Sequence, residues 1–575
     1  MEKRIDQPRV SMIQHVAGEL YGDAAPEFLT ALYECLESWR TTAPRVRAAK
    51  GFSEQDTLLI TYGDQFTTTE ISPLEELEQF LDTYLRHSFS WIHILPFFPA
   101  TSDDGFAVSD YRTVDPAIGT WEPVQRMAKT FHMTYDLVLN HSSASHRWFH
   151  KFLANEEPWN RFYHTRPETY DWSEVVRPRT HPLLSPFTRT DGSPVHVWTT
   201  FSTDQVDLNY ENPQVMVEMI DTLLFYIAQG ASMIRLDAVA YLWKEAGTKC
   251  IHHPKTHKAV QLFRAVVDYI GLHTRILTET NVPHDENVSY FGRGDNEAHM
   301  VYNFALPPLT LQAFTAETAE HLTRWASTLP TESRDTTFLN FLASHDGIGV
   351  TPAAGWLSPE ELDQLVTTVR ERGGHVSWKT TPTGEIPYEL NINWLSAIAG
   401  PDLPEELRIR IHLSSHAIMI ALAGVPGVYI HSLLGSQNWS AGVALQGHNR
   451  AINRQRLQLS EIQEDLENPR SLRGRIFNGM RQLLGVRRRE PCLSPTARQQ
   501  IIHAGPKVFA ILRTHQNRAL LCLTNTSSQP VTSTPVGVAT QPQMRDLLSG
   551  KTVSTGRGGV IELAPWETLW LEASR

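Results

Sequence analysis

Cysteine is scarce in this sequence. Cys35, Cys250, Cys492 and Cys522 are the only four in 575 residues, far apart and without a CxxC pair. That spacing excludes a zinc finger or a thiol redox motif and fits a reducing compartment. Long apolar runs are missing too. The longest, near Ala417 to Ile430, is broken by Gly424, Pro426 and Gly427 and falls short of the ~18 residues a membrane span needs. Met1-Glu2-Lys3-Arg4-Ile5-Asp6 is followed by no apolar core, so no secretory signal is read there. An excess of positive charge is also absent: 51 Lys and Arg stand against 63 Asp and Glu, a net charge of -12. A phosphate backbone needs a basic face, so nucleic acid is not expected as a partner. No HxxEH or similarly close spacing of His and acid occurs, and neither a metal nor another cofactor is expected. These absences point to a soluble cytoplasmic protein, monomer or homodimer, with no membrane partner.

The chain is too long for a single compact core, so one large domain with smaller attachments is expected. Up to about residue 55 the apolar positions Phe28, Leu29, Leu32, Tyr33, Leu36 and Trp39 recur at helical spacing, which reads as a docked N-terminal helical extension. From Thr57-Leu58-Leu59-Ile60-Thr61-Tyr62 onward, short apolar strands alternate with helical stretches. Such alternation marks βαβ units and a parallel sheet. At least six such strands over about 370 residues fit a (β/α)8 TIM barrel, an α/β fold, better than an open sheet. The barrel is expected to cover residues 56–141 and 205–495. Residues 142–204, rich in His, Trp, Pro, Thr and Arg, read as an inserted domain, and 350–395 as an irregular active-site loop region. From 496 to 575 the period shifts to short alternating strands, such as Val508–Leu512 and Ala519–Leu523, so an antiparallel β domain should close the chain.

Three segments read as buried strands ending in charge: Met233-Ile-Arg-Leu-Asp237, Ile276-Leu-Thr-Glu279 and Phe341-Leu-Ala-Ser-His-Asp346. A fourth, Tyr135 to His141, ends in Asn and His. A buried strand has no structural use for an unpaired acid, which costs several kcal/mol. Convergent acids suit acetal transfer at a sugar, where one acid protonates the leaving oxygen and a carboxylate meets the developing positive charge. Asp237 suits the nucleophile, kept ionised by Arg235 two residues earlier on the same strand face. Glu279, among apolar neighbours, suits the acid/base. Asp346, beside His345, suits a third acid that grips sugar hydroxyls and stabilises the transition state.

At these residues the chain resembles the α-amylase superfamily of retaining α-glucosidic enzymes. Asp136-Leu-Val-Leu-Asn-His141, Ile234-Arg-Leu-Asp237, Glu279 and Ala343-Ser-His-Asp346 look like its ordered signature segments. Within it, roughly residues 55 to 480 resemble the sucrose phosphorylase subfamily. The stretches that carry this are Arg177-Pro-Arg179, Ile234 to Thr248, Tyr302 to Leu309, Ser344 to Gly349 and Asn449 to Arg454. The resemblance implies the same three catalytic acids and a glucose subsite lined by Asp103, Phe106, His141, Arg235, Tyr241 and His345.

A phosphorylase must also hold a phosphate dianion beside carboxylates, which takes fixed cations and hydroxyls. By the resemblance, Arg179, Arg450 and Tyr388 surround the entering group, and α-D-glucose 1-phosphate is the expected product. The acceptor loop departs from the sucrose pattern, since Ile386-Pro387 precede Tyr388 where an Asp is expected two residues before the tyrosine. Pro387-Tyr-Glu-Leu-Asn391 instead resembles the branch acting on glucosylglycerol and glucosylglycerate. Glu389 would repel a carboxylate and accept hydrogen bonds from hydroxyls, which favours glycerol as acceptor. Glycerate, then sucrose, then hydrolysis or transglucosylation are the alternatives.

Overall fold

The computed structural model describes residues 7–40, 51–67, 70–165, 172–179, 181–271, 273–330, 335–381 and 384–573. Its centre is a closed ring of eight parallel strands. They are β1 (Leu58–Thr61), β2 (Trp91–Ile94), β3 (His132–Leu137), β4 (Ala231–Leu236), β5 (Arg275–Thr278), β6 (Met300–Tyr302), β7 (Thr337–Phe341) and β8 (Val425–Tyr429). β1 pairs with both β2 and β8, so the ring has no open edge. β1, β2, β4 and β8 are buried at every residue, as strands must be when helices cover one side and barrel packing fills the other. The (β/α)8 fold expected from the alternation is the fold observed.

Two helices, Gln7–Tyr21 and Ala25–Arg40, precede the barrel. Ile13, Val16, Leu20, Phe28, Leu32 and Leu36 are buried in the same apolar core as the barrel, and the Trp39 indole donates to Asp221 Oδ1 at 2.6 Å. Residues 1–6 and 41–50 of the expected extension lie outside the described residues. At the other end, Arg498–Ile501, Val508–His515, Arg518–Asn525 and Thr568–Ala573 form a four-stranded antiparallel sheet with a separate apolar cluster beneath it.

The long connection after β3 carries the insertion. His141–Ser143 pairs antiparallel with Gln205–Asp207, so the chain leaves and rejoins the barrel at one point. Between them lie the helix Arg147–Leu153 and the hairpin Leu184–Thr188 with Pro194–Trp198; residues 166–171 and 180 are outside the described residues. Lys244, arriving from the loop after β4, locks the junction. Its Nζ donates to Asn140 Oδ1 at 2.8 Å and lies 2.8 Å from Asp207 Oδ2, with both charged side chains almost fully buried.

Residues 350–395 are more regular than their composition suggests. They contain the helix Pro359–Glu371 and the hairpin His375–Thr381 with Gly384–Asn391, which pairs in turn with Ile348–Gly349. Ser358 and Glu361 form a capping box at the start of that helix. The hairpin was masked by its mixed polarity, which follows from one exposed face. Among the described residues no helix is long and apolar enough to cross a membrane.

The buried Lys244–Asp207 pair makes a test. Lys244→Met strands the Asp207 carboxylate in a dry junction, and one broken buried pair costs on the order of 3–5 kcal/mol. The urea midpoint should fall accordingly, and Asp207→Asn in the same background should recover part of the loss.

Candidate active site

The site grows from one buried guanidinium. Asp136 on β3 and Arg235 on β4 are register partners, and both side chains point into the barrel. Arg235 Nη1 donates to Asp136 Oδ1 and, at 2.7 Å, to Asp237 Oδ1. Its Nη2 lies 3.7 Å from Glu279 Oε2. On the far side His93 Nε2 is 2.6 Å from Asp136 Oδ2, with neither side chain exposed. One cation thus touches carboxylates from β3, from the end of β4 and from the end of β5. The backbone turns sharply beyond β4: Ala238 has φ +49 and its N–H donates to Glu279 Oε2 at 3.1 Å. A non-glycine residue in that region stores strain that the surrounding contacts must hold.

A second cationic network holds the third acid. Arg450 Nη1 lies 2.7 Å from Asp346 Oδ1, while its Nε and Nη2 grip Glu389 at 3.0 and 2.7 Å. Arg454, fully buried, reaches Asp104 Oδ2 at 2.6 Å and the His345 carbonyl at 2.8 Å, and lies 3.6 Å from Asp346. Asp103, Asp104 and Gly105 all have positive φ, which curls their loop back over the pocket. Gly105 is obligatory there, because a Cβ would meet the Pro96 carbonyl oxygen at 2.5 Å. Phe106 then stacks on the His345 ring, 4.8 Å between centroids and 4° from parallel.

These groups line an open pocket. The structure brings Asp103, Phe106, His141, Arg179, Arg235, Asp237, Glu279, His345, Asp346, Tyr388 and Arg450 to its wall, as expected from the sequence. Two expected binders are not on the wall. Tyr241 meets Phe201 edge-on, 5.4 Å between centroids, and Phe201 forms the wall. Glu389 corrects the sequence reading more seriously. It is 1% exposed, held by Arg450 and by the Gly347 N–H and Asn391 amide, each at 2.7 Å. Its oxygens are occupied by these donors and it stands off the pocket wall, so it neither faces a ligand carboxylate nor offers itself to ligand hydroxyls.

Residues missed in the sequence complete the wall: Phe201, Gln205, Ala238, Asn281, Phe304 and Gly347. Gln205 Nε2 sits 3.1 Å from His141 Nε2 and 3.4 Å from Asp103 Oδ2. Only the fold could reveal it, since it lies on the returning strand of the insertion. Arg179 stands over the Tyr388 ring, 5.9 Å from its centroid. Among the described residues it has no carboxylate partner.

Burial dominates the electrostatics. It raises Asp237; the Arg235 guanidinium 2.7 Å away opposes that rise, and Glu279 and Asp136 add to it. Glu279 is raised by burial, opposed by Arg235 and assisted by Asp346. Asp346 and Glu389 are raised by burial but end below their ordinary values, chiefly through Arg450. Burial and the three arginines nearby hold His345 far below its ordinary value, hence neutral. Burial lifts the Tyr388 hydroxyl to about 12, so it stays protonated and donates.

With this geometry in view, comparison with known proteins is informative. The α-amylase catalytic-domain family matches residues 79–356. A glucosylglycerate phosphorylase of Spirochaeta thermophila is 46% identical, covering 98% of this chain and 99% of its own. One from Allomeiothermus silvanus is 43% identical, covering 98% of each. A glucosylglycerol phosphorylase of Marinobacter adhaerens is 28% identical over 72% of this chain and 84% of its own. The crystal structure of sucrose 6F-phosphate phosphorylase from Thermoanaerobacter thermosaccharolyticum shares the fold, with TM-score 0.73 and 22% identity over 90% of this chain and 99% of that one. The chain belongs to the α-amylase family, and its near full-length relatives include glucosylglycerate phosphorylases.

The Arg450 bridge predicts a pH signature. In the native protein the depressed Asp346 and Glu389 contribute stability above the unfolded carboxylate pKa of about 4. That contribution is lost as pH falls through their lowered folded-state values. In Arg450→Met burial acts on Glu389 without its cation, so its folded pKa rises and the folded state takes up protons first. The stability gap between wild type and variant, read from urea midpoints, should narrow from pH 8 to pH 5. A gap constant with pH would mean that Arg450 does not neutralise these acids.

Proposed function

We propose that the protein is a retaining α-glucoside phosphorylase that converts glucosylglycerate and inorganic phosphate into α-D-glucose 1-phosphate and glycerate. What carries this reading is end-to-end similarity to relatives named for that reaction, against partial similarity to a glucosylglycerol phosphorylase. It replaces glycerol with glycerate as the acceptor, and the structure removes the reason for preferring glycerol. That preference rested on a repulsive Glu389, and Glu389 is bound to Arg450.

In the first half-reaction Asp237 attacks the anomeric carbon while Glu279 gives its proton to the glycosidic oxygen. The bond to glycerate breaks and a glucosyl ester forms on Asp237. Asp237 and Glu279 titrate as a pair around Arg235. The closer contact, 2.7 Å against 3.7 Å, favours the charge on Asp237 and the proton on Glu279. Asp346, anionic between Arg450 and Arg454, meets the positive charge that develops on the ring. In the second half-reaction an oxygen of hydrogen phosphate attacks the anomeric carbon from the side that glycerate left, and the phosphate proton returns to Glu279. The Asp237 carboxylate is released, and two inversions give retention.

Both the glycerate carboxylate and phosphate are anions, and the wall offers them Arg179 with the Tyr388 hydroxyl. Arg450, tied to two carboxylates, supplies position rather than net positive charge.

The test is a panel of glucosylglycerate, glucosylglycerol and sucrose with phosphate, scored by kcat/KM. Glucosylglycerate should lead by on the order of 100-fold, the worth of the hydrogen bonds that a substrate without a carboxylate leaves unmade at half-buried Arg179. A lead for glucosylglycerol overturns the acceptor, and glucose released equally fast without phosphate overturns the phosphorylase. Asp237→Ala should lose at least ~1000-fold in turnover with an unchanged circular dichroism spectrum; near-normal turnover would remove Asp237 as nucleophile.

A further inference from the structure

Outside the reaction pocket the fold builds a second chamber that the chemistry just described leaves unused. Arg179 and Phe201 line both spaces, so they form the partition between them. Ser202 of the insertion, Ser377 and Trp378 of the hairpin that carries Tyr388, and Asn449 face the outer one. Consecutive residues of a regular strand point to opposite faces. Here the pairing register shifts between Ser377 and Trp378, and that bulge brings both side chains to the same chamber. Arg370 stands over the Trp378 ring, 5.6 Å from its centroid. The indole is only half-buried, and the chamber meets the surface that is left.

This wall differs in chemistry from the inner one. Asp103, Asp237, Glu279 and Asp346 line the reaction pocket, whereas among the described residues no acid lines the chamber. His181 gives its Nε2–H to the Thr199 carbonyl at 2.8 Å and is held below its ordinary pKa, chiefly by burial, so it is neutral. Arg179 at the partition is then the one full charge on the described wall. Neither the Ser202 hydroxyl nor the Asn449 amide has a hydrogen-bond partner among the described residues. An indole beside unspent neutral polar groups suits a sugar ring, whose C–H face packs on the aromatic while its hydroxyls find partners at the rim. Glycerate has three functional groups. One oxygen joins glucose beside Glu279 and the carboxylate is held by Arg179, so the remaining hydroxyl is the group free to lead outward. We propose that the chamber is a further sugar subsite, and that the enzyme also forms and phosphorolyses glucosides whose glycerate carries a second hexose on that hydroxyl. This rests on the glucosylglycerate reading above.

The experiment runs in the synthetic direction with glucose 1-phosphate as donor. The acceptors are glycerate and both positional isomers of α-D-glucosylglycerate, each with one glycerate hydroxyl free. The glucosyl group passes from Asp237 to that hydroxyl, whose proton goes to Glu279, and hydrogen phosphate is the other product. One isomer should yield a glycerate bearing two hexoses, with kcat/KM within about tenfold of that for glycerate. Trp378→Ala should lower that value about tenfold, the order of loss when a ligand ring is deprived of its aromatic face, and move the value for glycerate by less than about threefold. Trp378→Phe, which keeps a ring, should recover most of the loss. Melting curves establish that each variant is folded, and if Trp378→Ala is not, Ser202→Ala decides by the same split. No such product from the wild type, a product whose hexoses are joined to each other, or variants that lower both values equally or neither, overturn the proposal. If glycerate itself is not glucosylated, the functional reading falls, and the preferred acceptor with its hexose-bearing form decides the chamber separately.

Discussion

A guanidinium almost fully buried inside the barrel, at the pocket wall, is the constraint on which the site depends. Arg235 is 2% exposed and contacts Asp136 and Asp237, with Glu279 further off. An isolated charge in that position would be prohibitive. With Asp136 fixed by His93 from behind, Arg235 has a permanent counter-ion and a direction. The acids on the open side are then held by a cation that cannot swing away. Barrel closure contributes as much as charge does: β3, β4 and β5 are neighbours in register, so one side chain spans three strand ends.

The second network works by compensation. Arg450 brings one positive charge and meets two carboxylates, so its corner of the pocket is no more cationic than if it were empty. What it contributes is order: Glu389 accepts from the guanidinium and from the Gly347 N–H, and the same guanidinium reaches Asp346. Arg179 differs in kind. Among the described residues it has no carboxylate partner and stands over the Tyr388 ring. Two arginines that look alike in a motif thus serve different ends.

How much could be read beforehand follows from the range of each interaction. The barrel strands and their terminal acids were legible because burial imposes apolar runs, and a charge at the end of one stands out. The wall residues Asp103, Phe106, His141, Arg179 and Arg450 came with family resemblance rather than from pattern. Glu389 was misread because its partner Arg450 is 61 residues away and no local feature announces the pair. Gln205 and Asn281 were not singled out at all. Each is a lone polar residue in a connecting segment, without period or partner in sequence, and only closure of the fold aims it at the pocket. The helix at Pro359–Glu371 is a different case: its capping box was present, and the surrounding glycines and prolines obscured it.

The insertion after β3 begins and ends in one antiparallel pair, His141–Ser143 with Gln205–Asp207, sealed by Lys244. Topologically it is a side branch rather than a span between distant points. Its length can change without shifting the register of any barrel strand, because the strain stops at the seal. Both Gln205 and Arg179 belong to this branch, and both line the pocket. One segment set apart from the barrel therefore brings two residues to the pocket wall while the barrel beneath it keeps its register.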